Sequence, residues 1–183
     1  MISKVLDSRG SQGIGDIINL FNIYKQAIYQ YKNKIVSNLS SNISLSEEFL
    51  GSSSEEINDY FNYAYEELEN VTCLSLLSAV EAKLRIDYQS RVYEKKKDTV
   101  SRKFRDIYKE KGGKPPLDEG ILKAWMDSYP ELKHIINDYK SALNYRNWLA
   151  HGRYWVPKLG RKYDIDIIYS ISDNIISNLI SIN

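Results

Sequence analysis

The chain has 183 residues, 43% hydrophobic and 12% aromatic, and its 25 basic and 24 acidic side chains leave a formal net charge of +1. That length buries a real core in one domain, and the aromatic share excludes a disordered chain. The single Cys73 excludes a disulfide framework and a cysteine-rich zinc site, and two histidines give no basis for an imidazole-built metal centre within one chain. No run of about 18 uncharged apolar residues occurs and no signal-peptide core is visible, so the expectation is a cytoplasmic protein without a membrane span.

The predicted elements are nearly all helical. Gly10, Gly13 and Gly15 lack the spacing of a phosphate-binding loop and read as a mobile N-terminal turn. Residues 15–39 then place Ile17, Leu20, Phe21, Tyr24, Ile28, Tyr31, Ile35 and Leu39 at helical spacing. A Ser/Asn-rich linker (40–46) and the Gly51-Ser52-Ser53-Ser54 stretch follow, and Ser ahead of Glu55-Glu56 is a helix-start signal. From there Ile57, Phe61, Ala64, Leu68 and Val71 mark one face, continued by Leu74, Leu77, Glu81, Leu84 and Tyr88. One long helix and two helices broken near Asn70 both satisfy this spacing. A basic helix over 98–111 ends at Gly112-Gly113, and Pro115-Pro116 prevents its continuation. A short helix (118–128) leads to Pro130, a good first residue for the next helix, whose inward stripe is Leu132, Ile135, Ile136, Tyr139, Leu143 and Arg146. The last segment, 164–182, carries Ile165, Ile168, Ile171, Ile175 and Leu179 on one helical face, although the alternation over 163–167 also suits the start of a strand.

The net charge conceals an uneven distribution. Between Ile35 and Ala82 there are nine acids and no Lys or Arg, a charge of −9, so the rest of the chain carries +10. Residues 91–114 hold ten basic and four acidic side chains, which reads first as a solvated face. Residues 140–163 hold six basic side chains and no acid, interleaved with Tyr145, Trp148, Tyr154, Trp155 and Tyr163. Cations mixed with aromatic rings suit phosphate contact and base stacking, and Lys158, Arg161 and Lys162 are the candidate RNA contacts.

The run Asn144-Tyr145-Arg146-Asn147-Trp148-Leu149-Ala150-His151-Gly152 is where chemistry concentrates. Arg146 falls on the core-facing stripe of its helix, and a buried guanidinium needs an acid, a carbonyl or a ligand. Glu81 sits on an apolar stripe too. It is expected either to pair with Arg146 or, more simply, to pair with Lys83 or Arg85 or to remain solvated. His151 lies five residues beyond Arg146, about 140° around an unbroken helix, so for both to converge the helix must end or bend, with Gly152 as the candidate terminator. His134 reads as an exposed helix residue, and Trp148 and Trp155 as core or interface side chains.

Arg-Asn followed by Ala-His-Gly at a helix end, in an all-helical chain, resembles the HEPN superfamily (higher eukaryotes and prokaryotes nucleotide-binding domain). The hallmark of that family is Arg, four to six residues, then His, often with Asn directly after the Arg. Arg146, Asn147 and His151 match it with four intervening residues, and only the stretch from Arg146 to Gly152 is diagnostic. The resemblance implies an all-α bundle of four to six helices, here with a basic helical insertion. It would make residues 1–183 a single domain, with an N-terminal helix and linker (1–54) ahead of a HEPN-like core (55–183). It further implies a metal-independent endoribonuclease of toxin or phage-defence type, without cofactor, working on RNA as a homodimer with an antitoxin or defence protein as partner. The roles it carries over are acid/base for His151, phosphate binding for Arg146 and orientation for Asn147. A non-catalytic module of the same type, binding RNA, a nucleotide or a protein, is the rival. Some related toxins carry Tyr two residues after the His as a modification site. Arg153 stands there instead, followed by Tyr154, which favours phosphate contact at 153. Chemistry supports the dimer separately, because cleavage through the ribose 2′-hydroxyl needs one base and one acid and a single motif offers only His151.

Overall fold

The computed structural model describes residues 12–41 and 47–180, and within them the chain is all-α, with six α-helices and no strand. Gly10 and linker residues 42–46 lie outside the described residues, whereas Gly15 is inside the first helix and forms no turn. These residues form two compact units, one spanning Gly15–Thr72 and one built on the chain from Cys73 onward.

The N-terminal unit holds α1 (Ile14–Ser40), a 3-10 turn at Glu47–Phe49 and the opening half of α2 (Ser54–Glu94). Ile35, Phe49, Ile57 and Phe61 form its buried cluster, with Ile28, Val36 and Leu39 packed around it. Tyr31 and Tyr60 meet the two Phe rings edge-on, a preferred aromatic geometry. Ser53 caps α2. Its hydroxyl accepts from the Glu56 N–H (3.2 Å), while its own N–H donates back to Glu56 Oε2 (2.8 Å), a reciprocal capping box. Those bonds hold the Glu56 carboxyl below its ordinary pKa. No Gly or Pro interrupts the sequence from Ser54 to Glu94, and of the two readings of this segment the unbroken helix is the one adopted.

The C-terminal unit contains the rest of α2, then α3 (Thr99–Lys111), α4 (Lys123–Ser128), α5 (Lys133–Ala150) and α6 (Ile165–Ile175). Asp98 caps α3 by accepting from the Ser101 N–H at 2.9 Å, and Gly112 ends it with its N–H on the Tyr108 carbonyl. The segment predicted as a short helix divides into a π-helical turn (Leu117–Leu122) and α4, because the Pro116 carbonyl accepts from both Gly120 and Ile121. Only glycine fits at 120 without displacement, since a Cβ there would come within 3.1 Å of the Pro115 ring. Pro130 opens a 3-10 turn that runs into α5.

Residues 165–175 form α6 and not a strand. Asp164 accepts from the Ile167 N–H at 2.9 Å, and Ile165, Ile168, Ile171 and Ile175 are buried at helical spacing, which overrides the β-propensity of isoleucine. α5 packs on α6 and α3 on α4. The Tyr139 hydroxyl of α5 donates to the Leu77 carbonyl of α2 (3.2 Å), fixing the α5 face that carries Arg146 toward Glu81. No helix among the described residues is long and apolar enough to cross a membrane.

Candidate functional site

The end of α5 is built by a Schellman motif. The Arg153 N–H donates to the Trp148 carbonyl (3.1 Å) and the Gly152 N–H to the Leu149 carbonyl (3.4 Å). Gly152 at φ +77° supplies the left-handed residue that this ending requires, and Arg153 continues it at φ +56°. Gly152 is therefore the terminator, but it acts after His151. α5 runs unbroken from Arg146 to Ala150, so the guanidinium and the imidazole of one chain lie on different faces and no hydrogen bond joins them.

Arg146 is held from α2. Its Nη2 lies 3.2 Å from Glu81 Oε2, and Nη1 donates to Asn147 Oδ1 at 3.3 Å. Glu81 divides its carboxylate, because Oε1 accepts from Arg85 at 2.9 Å. Both pairings proposed from the sequence, with Arg146 and with Arg85, thus occur together. Arg146 Nε is buried without a hydrogen-bond partner, but each terminal nitrogen keeps a second N–H and the side chain is 31% exposed, so the cation is positioned but not saturated. Tyr139 lies under the cluster. Burial pushes its phenol far above the ordinary value, the Glu81 charge adds to the rise, and Arg146 and Arg85 oppose it.

His151 is exposed, and its ring stands 6.4 Å from that of Trp155. The following loop is folded back by Trp148, whose indole N–H donates to the Trp155 carbonyl at 2.8 Å. Trp148, Tyr145 and Tyr163 stack in sequence, and the Arg161 guanidinium lies 5.0 Å above the last ring. Tyr154 (83%) and Val156 (90%), on either side of Trp155 in the chain, project into solvent. His134 is exposed, with Nδ1 3.0 Å from the Glu131 carbonyl oxygen.

The stretch without acids in sequence is not without them in space. Lys140 pairs with Asp118 (2.5 Å), Arg146 with Glu81, and Arg161 approaches Asp138 (3.7 Å). Lys158 and Lys162 are exposed and have no ion pair among the described residues. No group of three or more His, Cys, Asp or Glu side chains among the described residues is placed to hold a metal ion. Comparison with protein families, curated proteins and solved structures returns no match.

Sequence reasoning missed one further arginine. Arg91 belongs by sequence to the basic run that reads as a solvated face, yet it is 1% exposed. Its Nε lies 2.8 Å from Asp87 Oδ1 and its Nη1 3.4 Å from Asp98 Oδ1, with the Trp125 ring 5.0 Å from the guanidinium. The signal was present, because Arg91 continues the stripe of Leu84 and Tyr88 and has an acid four residues before it.

Proposed function

We propose that the chain is a metal-independent endoribonuclease acting as a homodimer, with a composite site made from the Arg-Asn-x-x-x-His motifs of two copies. The observation that carries this reading is the state of the motif. Arg146 is pinned by Glu81 and Asn147 through one N–H on each of its Nη atoms, with the second N–H on each to spare and about a third of the side chain exposed, and His151 presents an exposed imidazole at the helix end.

One imidazole takes the proton of the ribose 2′-hydroxyl, and the 2′-oxygen attacks the adjacent phosphorus. The imidazolium of the second copy gives its proton to the departing 5′-oxygen. The products are a 2′,3′-cyclic phosphate and a 5′-hydroxyl end. The Arg146 side chains stabilise the extra negative charge on the phosphorane oxygens. Asn147, bonded to Arg146, helps orient it, while Lys158, Arg161 and Lys162 guide the backbone and Tyr154 lies in reach of an unpaired base. The divergence of Arg146 and His151 on one helix supports a two-copy site, since a second chain brings an imidazole to a face that the first cannot reach with its own. The HEPN resemblance extends the reading to a toxin or phage-defence role with an antitoxin as partner, in the cytoplasm.

The test is cleavage of single-stranded RNA in excess chelator. Wild type is expected to cut, and His151→Ala and Arg146→Ala to lose cutting while keeping the helical circular dichroism spectrum. Wild type that binds RNA without cutting it identifies a binding module instead, and a strict monomer on gel filtration removes the composite site.

A further inference from the structure

A groove of about 560 Å³ opens beside the motif, lined by Arg85, Gln89, Gly113, Lys114, Pro115 and Pro116. Its shape is fixed by hydrogen bonds from α2 to the connection after α3. Arg85 Nη1 donates to the Pro115 carbonyl (3.1 Å), Gln89 Nε2 to the Gly113 carbonyl (3.2 Å) and the Tyr88 hydroxyl to the Gly112 carbonyl (2.8 Å). The Tyr88 phenol, pushed up to about 12 by burial, stays a donor throughout the physiological range.

The groove and the motif share one carboxylate. Glu81 accepts from Arg85 with Oε1 and from Arg146 with Oε2, so one negative charge serves two guanidiniums. Lys114 is exposed and has no acidic partner among the described residues. Arg85, Arg146 and Lys114 against Glu81 therefore leave an excess of two positive charges, with Arg85 common to the groove and to the carboxylate that holds Arg146. Arg85 is 36% exposed; its Nε and Nη2 face Glu81 and its Nη1 donates to the Pro115 carbonyl, so of five N–H groups one on each terminal nitrogen is left for an anion.

The geometry points to this groove as the seat of the RNA backbone next to the scissile phosphate, with Lys114 and Arg85 contacting a flanking phosphodiester. The inference rests on the ribonuclease reading in taking RNA as the ligand. It adds to the motif a second contact surface that determines how much RNA beyond the cleaved bond contributes to binding.

The experiment measures affinity for a fluorescent single-stranded oligoribonucleotide in chelator, using His151→Ala as the uncut parent, with Lys114→Glu and Lys114→Arg added to it. Lys114 is exposed and unpaired, so neither change disturbs the fold. The expected result for Lys114→Glu is a roughly tenfold weaker Kd at low salt and a shallower salt dependence, by about 0.7 in log–log slope for one lost phosphate contact. Lys114→Arg should bind like the parent. Unchanged affinity and slope in Lys114→Glu overturn the inference, even if wild type cuts RNA. Binding that depends on Lys114 without cutting by wild type sinks the nuclease reading and keeps the groove, whereas a parent that binds no RNA overturns both.

Discussion

Arg91 and Arg146 belong to the same unit and both sit on apolar stripes, yet their surroundings differ. Arg91 is enclosed by Asp87, Asp98 and the face of Trp125. Arg146 has one shared carboxylate, one amide and a buried Nε with no partner, and about a third of it reaches solvent. The first arrangement spends the cation on holding α2 to the start of α3. The second positions a cation and leaves it capacity for a ligand. Enclosed charge marks structure here, and a part-exposed cation on the helix that ends in an exposed imidazole marks the candidate site.

The largest effect should separate these two arginines. Arg91→Ala leaves two acids without their buried partner and is expected to cost about 3–5 kcal/mol. Arg146→Ala breaks a partly solvated pair and is expected to cost about 1 kcal/mol or less. Urea denaturation of the two variants measures the contrast, and equal losses would break it. Next comes the helix end that presents His151. A Cβ on Gly152 meets nothing within 4 Å, so the cost of Gly152→Ala is that of its positive φ, about 1–2 kcal/mol. Melting together with RNA cleavage reads this variant, and an unshifted melting temperature would show that the Schellman ending is not what fixes the imidazole.

A smaller effect sharpens the comparison through pH. Burial opposes ionisation of Asp98, but the bonds from Ser101 and the Arg91 charge outweigh it and hold its carboxyl below the ordinary 3.8. A lowered folded-state value means a contribution fully present above the ordinary value and lost as pH falls through the folded one. Burial raises Asp87 instead, against the pull of Arg91. Asp98→Ala should cost about 1 kcal/mol at neutral pH through the lost cap. Its urea midpoint should fall less steeply than that of wild type below pH 4, and parallel curves would assign the cap no ionic part.

Much of this was legible in the sequence. Helical spacing located the helices, the serines ahead of Glu55-Glu56 marked the start of α2, and Gly112 and Gly152 marked the ends of α3 and α5. Arg146 on a core stripe requires an acid, a carbonyl or a ligand, and the sequence leaves Glu81 open between Arg146, a neighbouring cation and solvent; the structure has it on both Arg146 and Arg85. What remained hidden was tertiary. The burial of Arg91 was masked by its membership of a basic run, and the acids that neutralise Lys140 and Arg161 come from outside the stretch. Isoleucine-rich α6 could not be told from a strand by propensity, since its period and its Asp164 cap decide the matter together.

The central claim is that the exposed His151, in a composite site with the positioned Arg146 of two copies, transfers protons during RNA cleavage. The most direct measurement incubates single-stranded RNA in excess chelator with wild type and with His151→Ala, and analyses the ends of the products. The account predicts 2′,3′-cyclic phosphate and 5′-hydroxyl ends from wild type and intact RNA from a folded His151→Ala. Equal cleavage by the two proteins, or no cleavage by a dimeric wild type that binds the RNA, would contradict it.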